Sequence, residues 1–545
     1  MTQHRVVSRR ALLRGMGAMT VAAASTPLLA ACGGGGGAVN TAEANARVTL
    51  PTHVPYAGVT PDLPAGQDLL PGFYRYPDSL VTAITDKPGA GAGRVAILVD
   101  TFTPVPPPLT DNAYWQALND RIGADLAFNM VPDSDYSTKV TTTIAGGDLP
   151  DIVMLPSWTP DLPGVLRAKF ADLTPYLSGD AVKEYPFLAN IPEFSWLPMI
   201  ANGGIGGLPT PRASIGEIMF VRDDLVAQRS LNPNPANHDE FVELCAGLTD
   251  AKAGHWALGD TGLGGGGALL YLLEMFGVPN GWSEQDGKFT NAVETDQYTE
   301  ALAALVDMLG KGLFHPDSFS ATFQQGRDWF GTGTIALKVD GYAAWDILLS
   351  TYQGIDVGAL LAPAHDGGGD GRHFTGKGSF AVTAIKKGDE KRVRQMLSIA
   401  NWMAAPIGTA EHLFRKFGVD GVDHTMSAGL PTLTRAGETN VKIPMQYLVD
   451  QPAVLGPGDR AVVDKQYAFH QRVAPLLVPD PTVGLYSPVN ASKGSVLSKA
   501  LNNARSEIVR GNQPVSSWAQ VVRQWRQGGG DQVRGEFEKA YAQQR

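Results

Sequence analysis

Three short apolar runs, RVAILVD (94–100), LAFNMV (126–131) and DIVML (151–155), are each separated by one amphipathic stretch. Runs of this length bounded by turn residues predict strands buried on both faces. Between the first two, Trp115, Leu118 and Ile122 recur at helical spacing until Gly123 stops them. Between the second and third, Tyr136, Val140 and Ile144 do the same ahead of Gly146-Gly147. A β-α-β-α-β order with connectors this short closes as a parallel sheet covered by helices on both faces.

The pattern returns further on. EIMFV (217–221), TIALKV (334–339), IDVGALLA (355–362) and SFAVTAI (379–385) read as strands, and 239–248, 268–276, 298–309 and 391–403 as helices. The C-terminal region reads as helical, with Leu497, Leu501, Ala504 and Ile508 on one face and Trp518, Val521, Val522 and Trp525 on another. At 545 residues, two α/β bodies fit better than one core. Ligand sites of open parallel sheets lie at the carboxyl ends of the strands, and two such ends face to face make a cleft that closes about a hinge.

Residues 1–31 stand apart from this fold. SRRALLR (8–14) resembles a twin-arginine export signal, an Ala/Gly-rich apolar stretch follows, and Leu29-Ala30-Ala31-Cys32 looks like a bacterial lipobox. Cys32 is the expected lipidation site, on a Gly33–Gly37 tether, which predicts an anchor on the outer face of the cytoplasmic membrane. Residues 38–92 are rich in Pro, Thr and Gly and read as tether and surface loops. With Cys32 consumed by lipid, Cys245 is alone, and no structural disulfide is expected. The chain has a net charge of −10, which becomes −14 without the four arginines of residues 1–31. Nucleic acid is therefore a poor match as partner. The 63 glycines and 38 prolines indicate many loops.

Catalytic signatures are poor. HExxH, CxxC and GxSxG are absent, and RASIG (212–216) lacks the first glycine of the last. GRHFTGKG (371–378) has Gly378 where a phosphate-binding loop needs Ser or Thr, and it leads into a strand; a glycine-rich connector is the plainer reading. Gly262, Gly264 and Gly267 satisfy GxGxxG inside a polyglycine run, where such matches come cheaply. The ten histidines have no ligand spacing, so neither metal nor cofactor is expected. The aromatics say more. Trp158 follows the DIVML strand, and Tyr342 and Trp345 follow TIALKV, at the edge where a parallel sheet presents ligand contacts. An aromatic face packs against the C–H face of a pyranose while polar neighbours bond its hydroxyls; burial in the core is the competing reading for each. Trp115, Trp402, Trp518 and Trp525 lie on helical stripes and read as core.

Several longer segments, in order, resemble bacterial extracellular solute-binding lipoproteins of ABC-type sugar importers, in the large branch associated with oligosaccharides such as aldouronates. They are YSTKVTTTIAGGDLPDIVML (136–155), GIGGLPTPRASIGEIMFVRDDLVAQRSLNPNPANHDEF (204–241), FQQGRDWFGTGTIALKVDGYAAW (323–345), FGVDGVDHT (417–425) and WRQGGGDQVRGEFEKAYAQQR (525–545). The resemblance covers roughly residues 94–545. It implies a two-lobed periplasmic-binding-protein-like fold of type II, each lobe a mainly parallel sheet flanked by helices, with a helical C-terminal region. The expected division is 93–210 with about 363–415 in lobe I and 211–362 with about 416–545 in lobe II. It also implies a monomeric receptor that holds an oligosaccharide between the lobes, delivers it to the transmembrane subunits of an ABC permease, and makes or breaks no bond. A surface glycan-degrading enzyme and an envelope scaffold are the rival readings.

Carried over by position, Tyr342 and Trp345 fall where the family places a sugar-stacking aromatic, and Trp158 in a cleft loop of the first lobe. Arg212, beside the crossover, and Asp340, at a strand end, are the expected polar contacts; Arg212 suits a uronate carboxylate. One departure stands out. Where many larger members carry a calcium-like loop, this chain has TDAKAGHWALGD (249–260), with too few carboxylates for Ca²⁺. Trp256 in that loop is the last expected ligand contact.

Overall fold

The three apolar runs become β1 (Arg94–Thr101), β2 (Asp125–Pro132) and β3 (Ile152–Pro156) in a computed structural model that describes residues 40–263 and 267–544. The export segment, Cys32 and the glycine tether lie outside the described residues, as does Gly264 of the GxGxxG match. Further strands are β4 (Leu208–Pro211), β5 (Glu217–Arg222), β6 (Trp256–Leu258), β7 (Ile335–Gly341), β8 (Val357–Leu360) and β9 (Ser379–Ile385). They form one sheet in the order β2-β1-β3-β9-β4 and another in the order β8-β5-β7-β6.

Each sheet is parallel but for one strand. β1 runs parallel to β2 and β3, whereas β9 opposes β3 and β4. β6 and β7 are parallel, whereas β5 opposes β7 and β8. The odd strand in each case has just crossed from the other lobe: β4 leads into β5, and β8 into β9. The two crossovers run side by side, with Ile215 bridged antiparallel to Thr375. Gly376 donates its N–H to the Ser214 carbonyl (2.8 Å) and Gly216 to Phe374 (3.2 Å). A Cβ on Gly216 would lie 2.9 Å from the Phe374 oxygen, so glycine is required where the crossovers touch. The glycine-rich 371–378 stretch is thus the return crossover.

The leader carries the short α1 (Ala42–Asn45). The first sheet is flanked by α2 (Ala113–Ile122) and α3 (Asp133–Gly146). Helices α4 (His238–Leu248), α5 (Gly267–Met275), α6 (Asp296–Gly310), α7 (Phe323–Thr332) and α8 (Ala344–Thr351) belong with the second sheet. The chain then returns to the first lobe in α9 (Glu390–Met403) and α10 (Ala410–Phe417). α11 (Arg460–Val473) backs the second sheet, and α12 (Pro488–Val509), α13 (Trp518–Trp525) and α14 (Asp531–Gln544) close the chain. Gly123, at φ 76°, caps α2 where the apolar spacing stops.

The first core joins Val95, Ile97 and Val99 to Leu118, Ile122, Met396 and Trp402; the second joins Val221, Leu337 and Val339 to Leu272, Leu305 and Trp518. Residues 443–449 differ from the expected division. Ile443, Met445, Leu448 and Val449 pack in the first core, although their place after residue 416 assigns them to the second lobe. They follow α10, whose Phe414 already belongs to the first core, so the chain crosses only after them. The leader differs more. It has little regular structure, yet Leu63, Leu69, Leu70 and Tyr74 pack against the second lobe and Val48, Leu50 and Tyr56 against the first.

Candidate functional site

The carboxyl ends of β1 and β3 present Asp100, Phe102 and Trp158 on the first lobe. Asp100 terminates the apolar run RVAILVD, where alternation turns its carboxyl back into the sheet end. It is 1% exposed, and its Oδ1 has no partner among the described residues. Burial, and secondarily Asp133 at the start of α3, push the Asp100 carboxyl up to about 7. Phe102 packs with Phe380, at the start of β9, and with Tyr447, their centroids 5.1–6.0 Å apart. Arg212 lies over this aromatic cluster, its guanidinium carbon 5.0 Å from the Phe380 centroid and 5.9 Å from Tyr447. It donates a hydrogen bond to its own neighbour's carbonyl, Pro211 O, at 2.9 Å. Among the described residues no carboxylate forms an ion pair with Arg212; burial lowers its affinity for the proton, and Asp450 offsets this from a greater distance. A desolvated guanidinium without a direct ion pair is a recognition group for carboxylates and hydroxyls.

The second lobe offers a charged face. β5 begins, and β7 ends, at the same sheet edge, because Glu217 registers opposite Gly341. Asp340 there is 3% exposed and holds a two-pronged ion pair with Arg327 of α7, Nε–Oδ2 2.9 Å and Nη2–Oδ1 3.2 Å. Phe323, Gly326, Arg327 and Phe330 share one face of α7 at spacings of three and four. A Cβ on Gly326 would sit 3.2 Å from Lys338 Nζ, so the absent side chain makes room for the buried ammonium. Lys338 Nζ and the Arg327 guanidinium lie 4.5 and 4.6 Å from the centroid of Phe323, a ring that is 43% exposed. Two cations polarised against one accessible ring make a platform of mixed character. Burial lowers Lys338 from its usual range and raises Glu217, which Asp340 raises further. The Tyr447 hydroxyl of the first lobe, raised mainly by burial, also feels Arg212, Arg327 and Asp100. The two faces therefore meet within electrostatic range.

The residues expected from sequence divide unevenly. Trp158 is 59% exposed, its indole N–H donating to Ser137 Oγ (3.2 Å), which leaves a ring face open. Arg212 belongs to the aromatic cluster of the first lobe. Asp340 is on the second face but committed to Arg327. Tyr342 and Trp345 are buried, at 7% and 1% exposed. The cause is local, since α8 starts at once after β7 and turns Trp345 under the sheet, against Phe220 (5.5 Å) and Phe469 (6.0 Å). Trp256 is half-buried beside His315 (4.6 Å), which stacks on Trp329 (3.9 Å), at the β6 edge of the second sheet. Sequence reasoning missed Asp100, Phe102, Phe323, Arg327, Lys338, Phe380 and Tyr447. An acid closing an apolar strand (Asp100) and a lysine inside one (Lys338) are signals that would have found two of them.

Comparison with known proteins agrees with this architecture. Residues 107–408 match the family model described as bacterial extracellular solute-binding protein. Lipoprotein LipO of Bacillus subtilis (strain 168) is 21% identical over 452 residues, covering 78% of this chain and 88% of that one. The polygalacturonan/rhamnogalacturonan-binding protein YtcQ of the same organism is 23% identical over 437 residues, covering 77% and 86%. Among solved structures, alginate-binding protein AlgQ2 without calcium ion superposes with a TM-score of 0.61 at 15% identity, covering 84% of this chain and 99% of that one. The S. pneumoniae substrate-binding protein FusA in complex with kestose gives 0.62 at 13% identity, covering 83% and 99%.

Proposed function

This chain belongs to the bacterial extracellular solute-binding protein family, and from that premise we propose that it captures a carbohydrate, an oligosaccharide, between its two lobes and delivers it to the transmembrane subunits of an ABC importer. It does so as a monomer held by a lipid on Cys32, on the outer face of the cytoplasmic membrane after twin-arginine export, and it makes or breaks no bond. The observation that carries the reading is the inter-lobe face itself. Arg212 lies on the Phe380–Tyr447 shelf with no direct ion pair among the described residues, and Asp100 Oδ1, which has no hydrogen-bond partner among them, is buried nearby in the same lobe. Aromatic surfaces with a few unsatisfied polar groups are the composition of a sugar site. The relatives support the ligand class: one is a polygalacturonan/rhamnogalacturonan-binding protein, another an alginate-binding protein, and a third was solved with kestose. Arg212 would meet a carboxylate or a hydroxyl pair, and the open ring of Trp158 a pyranose face. Asp340, through Arg327, and Trp256 at the sheet edge would flank them.

A thermal-shift screen of oligogalacturonides, alginate oligomers and fructo-oligosaccharides tests this. A specific ligand at 100 times Kd stabilises the folded state by about 2.7 kcal/mol. Arg212→Ala is expected to weaken binding of an acidic oligomer by roughly 10–100-fold, the worth of a charge-assisted hydrogen bond. Trp158→Ala is expected to weaken it by a smaller factor. Absence of a shift with every glycan, or release of shortened products that a point variant abolishes, would overturn the reading.

A further inference from the structure

The leader crosses between the lobes twice within fifty residues. On the first lobe, Thr52 and Val54 donate their N–H groups to Gly179 O (3.0 Å) and Ala189 O (2.7 Å), and Tyr56 to Asn190 Oδ1 (2.8 Å). The chain then moves to the second lobe. Tyr467 of α11 donates its hydroxyl to Pro64 O (2.9 Å), Tyr74 donates its own to Asp464 of α11 (2.6 Å), and Arg460 lies 4.3 Å over the Tyr74 ring. It then returns at once. Tyr76 is 1% exposed, donates its N–H to Gly429 O (2.7 Å) and hydrogen-bonds through its hydroxyl to His412 of α10. Val81 N–H donates to Gly408 O (3.1 Å) and Ile84 N–H to Glu411 Oε1 (2.7 Å). Phe73 packs with Tyr76 and Ile407, so in this extended stretch consecutive side chains serve opposite lobes.

The lengths of the two crossings differ. Val59, which packs in the cluster of Tyr76 and Ile407, and Leu63 are four residues apart, a reach of about 14 Å when extended, whereas Tyr74 and Tyr76 are two apart, a reach of about 7 Å. Alongside the short crossing, Gly72 forms a parallel bridge with Leu455, where the main chain itself passes from the first core to the second. We infer that the leader is an inter-lobe strap whose short link at Arg75 pins the two lobes together beside the hinge. Opening must pivot about residue 75, and the strap limits its extent. The inference rests on the two lobes moving about their crossovers, but not on the identity of any ligand.

Ligand-free full-length protein supplies the test. Spin labels at Lys139→Cys on the first lobe and Asp239→Cys on the second, in a Cys32→Ser background, report the inter-lobe distance distribution. Six Gly/Ser residues inserted after Arg75, in a Phe73→Ala background that releases the first-lobe contact on the near side of the insertion, add up to about 20 Å of reach. This insertion is expected to extend the long-distance side of the distribution by several ångströms. The same insertion after Val59, in the longer crossing and the same Phe73→Ala background, is expected to leave the distribution as it is in Phe73→Ala alone. Tyr74→Ala, which removes only the grip on α11, is expected to broaden it to a smaller degree. Wild-type width in both the Arg75 insertion and Tyr74→Ala, with native circular dichroism, overturns the strap. Equal broadening by the Val59 and Arg75 insertions overturns the short link. Neither result bears on glycan binding, which the thermal-shift screen reads separately.

Discussion

Asp100 shows what a single side chain at a strand end does to the whole protein's response to pH. Its carboxyl is buried and pushed up to about 7, first by burial and then by Asp133. Below the ordinary aspartate range both folded and unfolded chains hold this proton. Above it the unfolded chain releases the proton while the folded chain keeps it, so stability falls as pH rises until about 7, and is level beyond. Asp100→Asn lacks this titration. The variant's stability relative to wild type should therefore grow between about pH 4 and 7, by at most about 1.4 kcal/mol per pH unit, and then plateau. Urea unfolding at four or five pH values checks it; a constant difference across that range would show that Asp100 is solvated in the native state. At this scale the sequence was only partly legible. Arg212 and Trp158 each follow a strand or crossover that could be read locally, and both stay proposals for ligand contact. Tyr342 and Trp345 stand in the same relation to a strand and yet are buried. What decides between the outcomes is where the next helix begins, which residue spacing alone does not reveal.

Elements were far more legible than side chains. Apolar runs of five to eight residues marked β1, β2, β3, β5, β7, β8 and β9 to within a few residues, because burial on both faces leaves little choice of residue. Helix α7 escaped notice because Phe323, Arg327 and Phe330 mix charge into the inward face. The crossovers are the elements with the most at stake. Glu274 of α5 is fully buried; its Oε1 accepts the Phe374 N–H (2.9 Å), while its own carbonyl accepts that of Arg372 (3.2 Å). Its Oε2 faces His373 Nδ1 at 3.6 Å. Burial holds the Glu274 carboxyl well above its usual range and lowers His373 to about 4, so the imidazole is neutral in the folded protein near pH 7. Because Ala362 N–H donates to His373 Nε2 (3.2 Å), the ring's own proton sits on Nδ1. Glu274→Ala strands the Phe374 N–H and is expected to destabilise the fold by about 1–3 kcal/mol. Glu274→Gln keeps an acceptor oxygen and is expected to recover most of that loss. Chemical denaturation compares the two; equal losses would mean that side-chain volume, rather than the hydrogen bond, holds the crossover.

For the molecule as a whole, two sheets joined by paired crossovers and a strap leave rotation about the hinge as the soft motion. Lobe closure on a bound oligosaccharide is expected to reduce the radius of gyration in solution scattering, and Arg212→Ala to blunt the change at equal glycan concentration. An unchanged radius at saturation would indicate a site formed by one lobe alone. One more consequence comes from β9, the strand that opposes its neighbours in the first sheet. It sits between β3 and β4, yet about 230 residues separate the end of β3 from the end of β9, or roughly 10–45 s of synthesis. For that interval β3 has an open edge, and every strand of the second sheet is made before the first sheet can be completed. A nascent chain therefore carries an unfinished sheet for much of its translation, and half-length fragments should be captured by chaperones while the finished protein is released.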